Sequence, residues 1–253
     1  MKNIYVFITV RERSSRLNQK CLMPLGNKNS VLDWVYSRLC SLNSLSPIIC
    51  TGEAKKNKNI VKFATDNNIN YFCGPENNKV KRWFECAQSY SVEEFHTLDC
   101  DDPFFDPHRI KESMHMLNDR NAEIILPSDY SDSGGATEGF SIKTDSLNFS
   151  SYLDDLADTE MCYSYFKDKL NSITLPNPPY KIENIRLTLD YEEDYKFLND
   201  LANLFEIDVS RSLIEQYINS NFEETPNYSC NALWKKNQNN ITKETYENFS
   251  RTK

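Results

Sequence analysis

The sequence predicts an α/β fold with a mainly parallel sheet, and three observations carry that expectation. Short apolar runs alternate with helix-period segments through the first half of the chain, the pattern of βαβ units. Charged turns follow three of those runs, and in an open α/β sheet the carboxyl ends of strands are where ligands bind. At 253 residues the chain can bury a full core, as one large domain or a domain with a small appendage.

In chain order, Ile4–Val10 is an unbroken apolar run and reads as a first strand. Val31–Leu39 has apolar residues at helical spacing, and Ser46–Thr51 is a short buried strand followed by a helical Ile60–Ala64. Tyr71–Cys73 is the next short strand and Val80–Tyr90 the next helix. Phe95–Leu98 leads into an acidic turn, Pro107–Leu117 reads as a helix with proline in its first turn, and Ala122–Leu126 as a strand. The stretch from Pro127 to Pro179 changes character and is expected to be an excursion. Asp129–Gly135 is turn-rich, Phe140–Lys143 strand-like and Tyr152–Leu170 helical. Ile185–Asp190 then returns as a strand with a helix from Glu192 to about Phe205, and the polar residues after Tyr228 read as a loosely held tail. This gives a main domain over 1–227, carrying the excursion at about 127–179, and a tail over 228–253, with no internal repeat.

The most informative stretch is Arg11-Glu12-Arg13-Ser14-Ser15-Arg16-Leu17-Asn18-Gln19-Lys20, directly after the first strand. Three arginines and a lysine in one turn repel one another unless an anion sits among them, and a nucleoside triphosphate with its Mg²⁺ would serve. Asp99-Cys100-Asp101-Asp102-Pro103 and Asp190-Tyr191-Glu192-Glu193-Asp194 follow two other strand-like runs. Either acidic turn alone can be read as the cap of the next helix. One cationic and two acidic strand ends together suit a metal–triphosphate site, since Mg²⁺ takes one or two carboxylates plus phosphate oxygens and waters.

The net charge of −8 argues against a general nucleic-acid binder. Met1 lies close before the first strand and no apolar run suffices to span a bilayer, so the expectation is a cytoplasmic protein with no membrane partner. The eight cysteines form no C-x-x-C pair and several lie in apolar runs, as reduced structural thiols do. His96, His108 and His115 show no compact ligand motif, and Trp34 and Trp83 read as core.

The loop residues Arg11, Arg13, Ser15 and Arg16 continue into Arg16-Leu17-x-x-Lys20-x-Leu22-x-Pro24-Leu25 and Val31-Leu32-x-Trp34-Val35-x-x-Arg38-Leu39. Downstream come Gly74-Pro75-Glu76 with Val80-x-Arg82, then Asp101–Pro107, Gly134–Glu138 and Arg186–Tyr195. Over roughly residues 3 to 200, this ordered set resembles the SpsF-like cytidylyltransferases, relatives of the CMP-Kdo and CMP-sialic acid synthetases. The resemblance implies a three-layer α/β/α nucleotidyltransferase fold, Rossmann-like and GT-A-like. It implies transfer of a cytidylyl group from CTP to a small anionic acceptor, an acidic sugar for a surface glycan, with release of pyrophosphate. Arg11 and Lys20 match its triphosphate-binding residues, with Arg13, Ser14, Ser15 and Arg16 beside them, and Asp101 and Asp190 match its Mg²⁺ carboxylates. Arg82 is a candidate nucleotide or substrate contact, with an exposed helix cation as the alternative. A homodimer is expected, since relatives often pair through such an arm.

Three departures from the pattern stand out, the last two of them where acceptor contacts are expected. Cys100 stands where glycine usually precedes the first metal aspartate, Glu160-Met161-Cys162-Tyr163 replaces an E-H-V-T segment, and Lys79 stands where the family tends to have aspartate. A phosphate or phosphonate acceptor therefore stays open. A glycosyltransferase also stays open, because Asp99-Cys100-Asp101 has D-x-D spacing, as does a non-catalytic nucleotide-binding module on the same scaffold.

Overall fold

The computed structural model describes residues 3–131, 138–179 and 183–237. Seven strands form one sheet: β1 (Ile4–Val10), β2 (Leu45–Thr51), β3 (Tyr71–Cys73), β4 (Glu94–Asp99), β5 (Ile124–Leu126), β6 (Ser141–Lys143) and β7 (Ser172–Thr174). Their order is β3-β2-β1-β4-β6-β5-β7, parallel except for β6, which runs antiparallel to β4 and β5. The helices are α1 (Val31–Cys40), α2 (Lys58–Asp66), α3 (Lys79–Ser89), α4 (Pro107–Asp119), α5 (Tyr163–Lys169), α6 (Glu192–Leu204) and α7 (Arg211–Asn221).

Both faces of β1 are covered, which is why its sequence is continuously apolar rather than alternating. Val6, Ile8 and Val10 pack with α1, α2, α6 and α7, while Phe7 packs with α3, Phe95 of β4 and Phe166 of α5. Three layers result, helices on either side of a mainly parallel sheet, as the sequence predicts. Helix starts follow local chemistry. Ser30, Asn78 and Ser210 each accept a backbone N–H from the first turn of α1, α3 and α7, and Asp106 caps α4 ahead of Pro107. Arg38 is fully buried and donates to the carbonyls of Phe105, Ile207 and Val209, tying α1 to the segments before α4 and α7.

Several expectations change in the structure. The excursion at 127–179 supplies two strands of the main sheet, the expected β6 and a further β7 that the sequence reading did not include, paired parallel with β5. The helix expected over Tyr152–Leu170 is confined to α5. Ahead of it Asp154 accepts from the Leu156 amide at 2.8 Å and Asp158 from the Glu160 amide at 2.9 Å, local bonds that compete with helical ones. Ile185–Asp190 has the alternation of a strand, with Ile185, Leu187 and Leu189 in the core, yet it joins no sheet. Its backbone is held by loops instead: the Leu189 amide donates to the Asp101 carbonyl at 2.8 Å and the Arg186 amide to Thr225 Oγ1 at 3.1 Å.

Residues 230–237, expected to be loose, are helical, and Asn231 accepts from buried Arg186 at 2.8 Å. Helix α7 escaped the sequence reading. Gly134 lies outside the described residues, but Glu138 at the end of that expected segment pairs with Arg109 at 2.7 Å. All eight cysteines are free thiols, six of them buried. Among the described residues no helix is long and apolar enough to cross a membrane. His96 is buried with Nδ1 on Ser141 Oγ at 2.8 Å, and burial lowers its pKa to about 4.

Candidate active site

A pocket of about 500 Å³ opens over the carboxyl ends of β1 and β4. Arg11, Arg13, Ser14, Ser15, Arg16 and Lys20 are among its lining residues, so the cationic loop forms part of its wall. The loop is anchored by Glu12, which the sequence reading passed over. Its buried carboxylate accepts from the Asn59 and Ile60 amides at the start of α2, and its own amide donates to Asn57 Oδ1 at 2.9 Å. This anion at a helix N-terminus fixes the loop's exit from β1 and leaves the arginines to face the pocket. Gln19 then takes a left-handed conformation (φ 53°), and the single turn Lys20–Leu22 directs Lys20 inward.

Lys20 Nζ donates to Asp101 Oδ2 at 2.6 Å, to Asp190 Oδ1 at 2.8 Å and to the Leu189 carbonyl at 2.7 Å. The lysine of the first strand end thus joins both acidic turns. Burial alone would depress the Lys20 pKa, but Asp101 and Asp190 outweigh it and hold the ammonium charged well above its usual range. Burial would likewise raise Asp190, yet Lys20 and Arg16, the latter at 2.5 Å, hold that carboxylate down at about 2.

A second layer fixes Asp190. Asp194, in the first turn of α6, accepts the Asp190 and Tyr191 amides at 2.8 and 2.9 Å and takes a two-pronged ion pair from Arg186 at 2.8 and 3.0 Å. Asn227 adds a bond to Asp194 at 2.7 Å. Arg186 and Asp194 are fully buried and hold the Asp190 carboxylate, itself 1% exposed, behind the pocket lining, which it meets through Lys20 and Arg16.

Arg11 crosses the pocket, donating to the Glu76 carbonyl at 3.0 Å and to Glu160 at 3.4 Å. Arg82 is not an exposed helix cation. It is buried behind the Gly74–Asn77 rim, where Nη1 donates to the Pro75 and Glu76 carbonyls at 2.7 and 3.1 Å, so it shapes that rim and lies outside the pocket lining. Asp99, Asp158 and Glu160 also line the pocket. Burial raises the Asp99 pKa to about 6 despite Lys79 nearby. Glu160 is held at about 2, chiefly by Lys79.

Asp101 and Asp190 present oxygens that converge on one point, now taken by the Lys20 ammonium. Asp101 lines the pocket and Asp190 stands just behind Lys20, and two such hard oxygen donors fit Mg²⁺, which keeps waters and takes phosphate oxygens for its remaining positions. Among the described residues no three His, Cys, Asp or Glu side chains gather into a metal-holding group.

No family model matches the chain. An uncharacterized protein of Methanocaldococcus jannaschii is 25% identical over 204 residues, 79% of this chain and 83% of that protein. A cytidylyltransferase from Leptospira borgpetersenii serovar Hardjo-bovis superposes with a TM-score of 0.75 at 20% identity, covering 87% of this chain and 95% of that one. A CMP:2-keto-3-deoxy-manno-octonic acid synthetase complexed with CTP superposes with a TM-score of 0.53 at 13% identity, over 86% of this chain and all (100%) of the other. The chain therefore has the nucleotidyltransferase fold. Its similarity to the cytidylyltransferase extends over nearly the whole of that structure.

Proposed function

We propose that this protein is a Mg²⁺-dependent cytidylyltransferase that transfers CMP from CTP to a small anionic acceptor and releases pyrophosphate. The observation that carries the reading is Lys20, an ammonium shared by Asp101 and Asp190 at the base of a loop of arginines. The two solved structures above, one named a cytidylyltransferase and one complexed with CTP, support cytosine as the base.

The acceptor oxygen attacks the α-phosphorus in line, a bond to it forms, and the bond to the pyrophosphate oxygen breaks. Such a reaction needs positioning and charge neutralisation more than covalent help from the protein. Lys20 exchanges its carboxylate partners for the leaving phosphates, where it acts as a point charge. Arg11, Arg13 and Arg16 grip non-bridging oxygens, an arginine offering two parallel donors where lysine offers one. Ser14 and Ser15 add hydroxyl donors at the same loop. Asp101 and Asp190, freed of the ammonium, are the residues that would hold Mg²⁺, which when bound neutralises charge developing on the phosphates.

The acceptor we assign is an acidic sugar destined for a glycan, as the resemblance in the sequence implies, and Lys56 on the pocket lining is a cation outside the phosphate-gripping loop that would face its acidic group. Pairing with a second copy is supported by Tyr152 and Leu156 on the arm, 87% and 77% exposed. Pyrophosphate release with anionic sugars tests the activity. Sedimentation of the wild type against Tyr152→Ser/Leu156→Ser tests the pairing: a wild-type monomer would overturn it.

A further inference from the structure

Glu160 and Lys79 meet across the pocket wall although 81 residues separate them. The Lys79 side chain is only 5% exposed; its Nζ lies 3.2 Å from Glu160 Oε1, 3.8 Å from Asp99 Oδ2 and 5.3 Å from the Trp83 ring centre. Trp83 is itself fixed, donating from Nε1 to Thr9 Oγ1 at 2.9 Å. Burial would depress the Lys79 pKa, but Asp99 and Glu160 reverse this, so the ammonium is a permanent peg between two carboxylates. Both carboxylates line the pocket, with side chains 31% and 39% exposed.

An ionised carboxylate offers about four acceptor positions. Among the described residues, Glu160 uses one oxygen on Lys79 and the other on Arg11, and Asp99 makes only the longer contact to Lys79. Acceptor capacity therefore remains on both, directed into the pocket and flanking a fixed cation. Paired hydroxyl donors on adjacent carbons match that arrangement, just as a carboxylate reads a ribose hydroxyl in other nucleotide sites.

The place along the pocket agrees. At one end stand Arg16, Lys20 and Asp101; at the other the Gly74–Asn77 rim puts Glu76 and Asn77 on the lining, and Arg11, from the phosphate-gripping loop, spans the gap to the Glu76 carbonyl. Glu160 bonds Arg11, and Asp99 is two residues from Asp101 on the same strand end, so the pair bridges the two ends. In a nucleotide, the ribose is the part between the phosphates and the base. We infer that Glu160, held by Lys79, is the residue that recognises the ribose diol, with Asp99 as the second acceptor, and that this makes the site selective for ribonucleotides. The inference rests on the CTP reading of the pocket.

The test is equilibrium binding of CTP, 2′-deoxy-CTP and 3′-deoxy-CTP with MgCl₂, by calorimetry, to the wild type and to Glu160→Gln and Glu160→Ala. Melting curves confirm that each variant is folded. A hydroxyl bonded to a charged acceptor is worth about 10- to 100-fold, so the wild type should bind CTP tighter than at least one deoxy analogue by that factor. In both variants the ratio should fall by at least about threefold, Asp99 being left as the remaining charged acceptor. The ratio is read because loss of Glu160 also releases Arg11 and so changes the binding of every nucleotide together. Equal binding of CTP and both deoxy analogues by the wild type would overturn the ribose assignment and leave the CTP reading intact. An unchanged preference in the variants would remove Glu160 from the role, and failure to bind CTP at all would remove the CTP reading and this inference together.

Discussion

Replacing Lys20 by methionine keeps the length of the side chain and removes the charge that joins the two acidic turns. The ammonium has three partners, Asp101 at 2.6 Å, Asp190 at 2.8 Å and the Leu189 carbonyl at 2.7 Å. Deleting one member of a buried ion pair typically costs about 3–5 kcal/mol because the other charge is stranded. Here the stranding is incomplete: Asp190 keeps Arg16 at 2.5 Å and Arg186 at 3.3 Å, and the Asp101 side chain, 27% exposed, can take up water. About 2 kcal/mol is then expected, a fall in melting temperature of about 4–8 °C for a chain of this size. Turnover should drop by at least about 100-fold, the scale for losing a fixed donor to developing charge. The distinguishing result is metal affinity without nucleotide. With the ammonium gone, two carboxylates converge on an open point, so Lys20→Met should bind Mn²⁺ more tightly than the wild type when followed by spin resonance. Unchanged turnover would move the phosphate contact to Arg11 or Arg16, and unchanged or weaker Mn²⁺ binding would refute the shared lysine–metal position.

Asp101→Asn and Asp190→Asn should each abolish pyrophosphate release while the protein stays folded, and near-wild-type release in either would exclude that residue from the metal role. Asp190 also gives a pH dependence. Its folded pKa of about 2 lies below the ordinary 3.8, so its stabilisation is present above about pH 4 and lost as pH falls through 2. About 2 kcal/mol should disappear over that window in urea titrations of the wild type, and Asp190→Asn should show a correspondingly flatter acid limb. Lys79→Met removes the peg between Glu160 and Asp99 and should cost about 3 kcal/mol by the same titration; a neutral result would contradict the buried ion-pair geometry. Gly139 has φ +69°, and a Cβ there would stand 1.9 Å from the Thr97 carbonyl, so Gly139→Ala should destabilise the protein by more than about 2 kcal/mol in melting experiments.

The cationic loop and the two acidic turns are readable in the sequence because like charges crowd only where something offsets them. The core strands are readable because both faces of the sheet are covered and their sequences are apolar throughout. Ile185–Asp190 misleads for a physical reason: its alternation is real, but Arg186 and Asp190 are spent on buried ion pairs and its backbone on loops. Glu12 looks like one more loop charge until α2 is seen beginning beside it. Glu160 and Lys79 come from distant parts of the chain, and nothing local to either announces the other. Arg82 shows the converse, a residue picked out by its motif whose guanidinium supports the rim from behind.

The most direct measurement is pyrophosphate release from CTP, ATP, GTP and UTP with MgCl₂, against acidic sugars and against phosphorylated or phosphonate acceptors, with calorimetric binding of each nucleotide alongside. Release confined to CTP with an acidic sugar is the predicted result. Failure to bind CTP, or release that follows another nucleotide, would contradict the account.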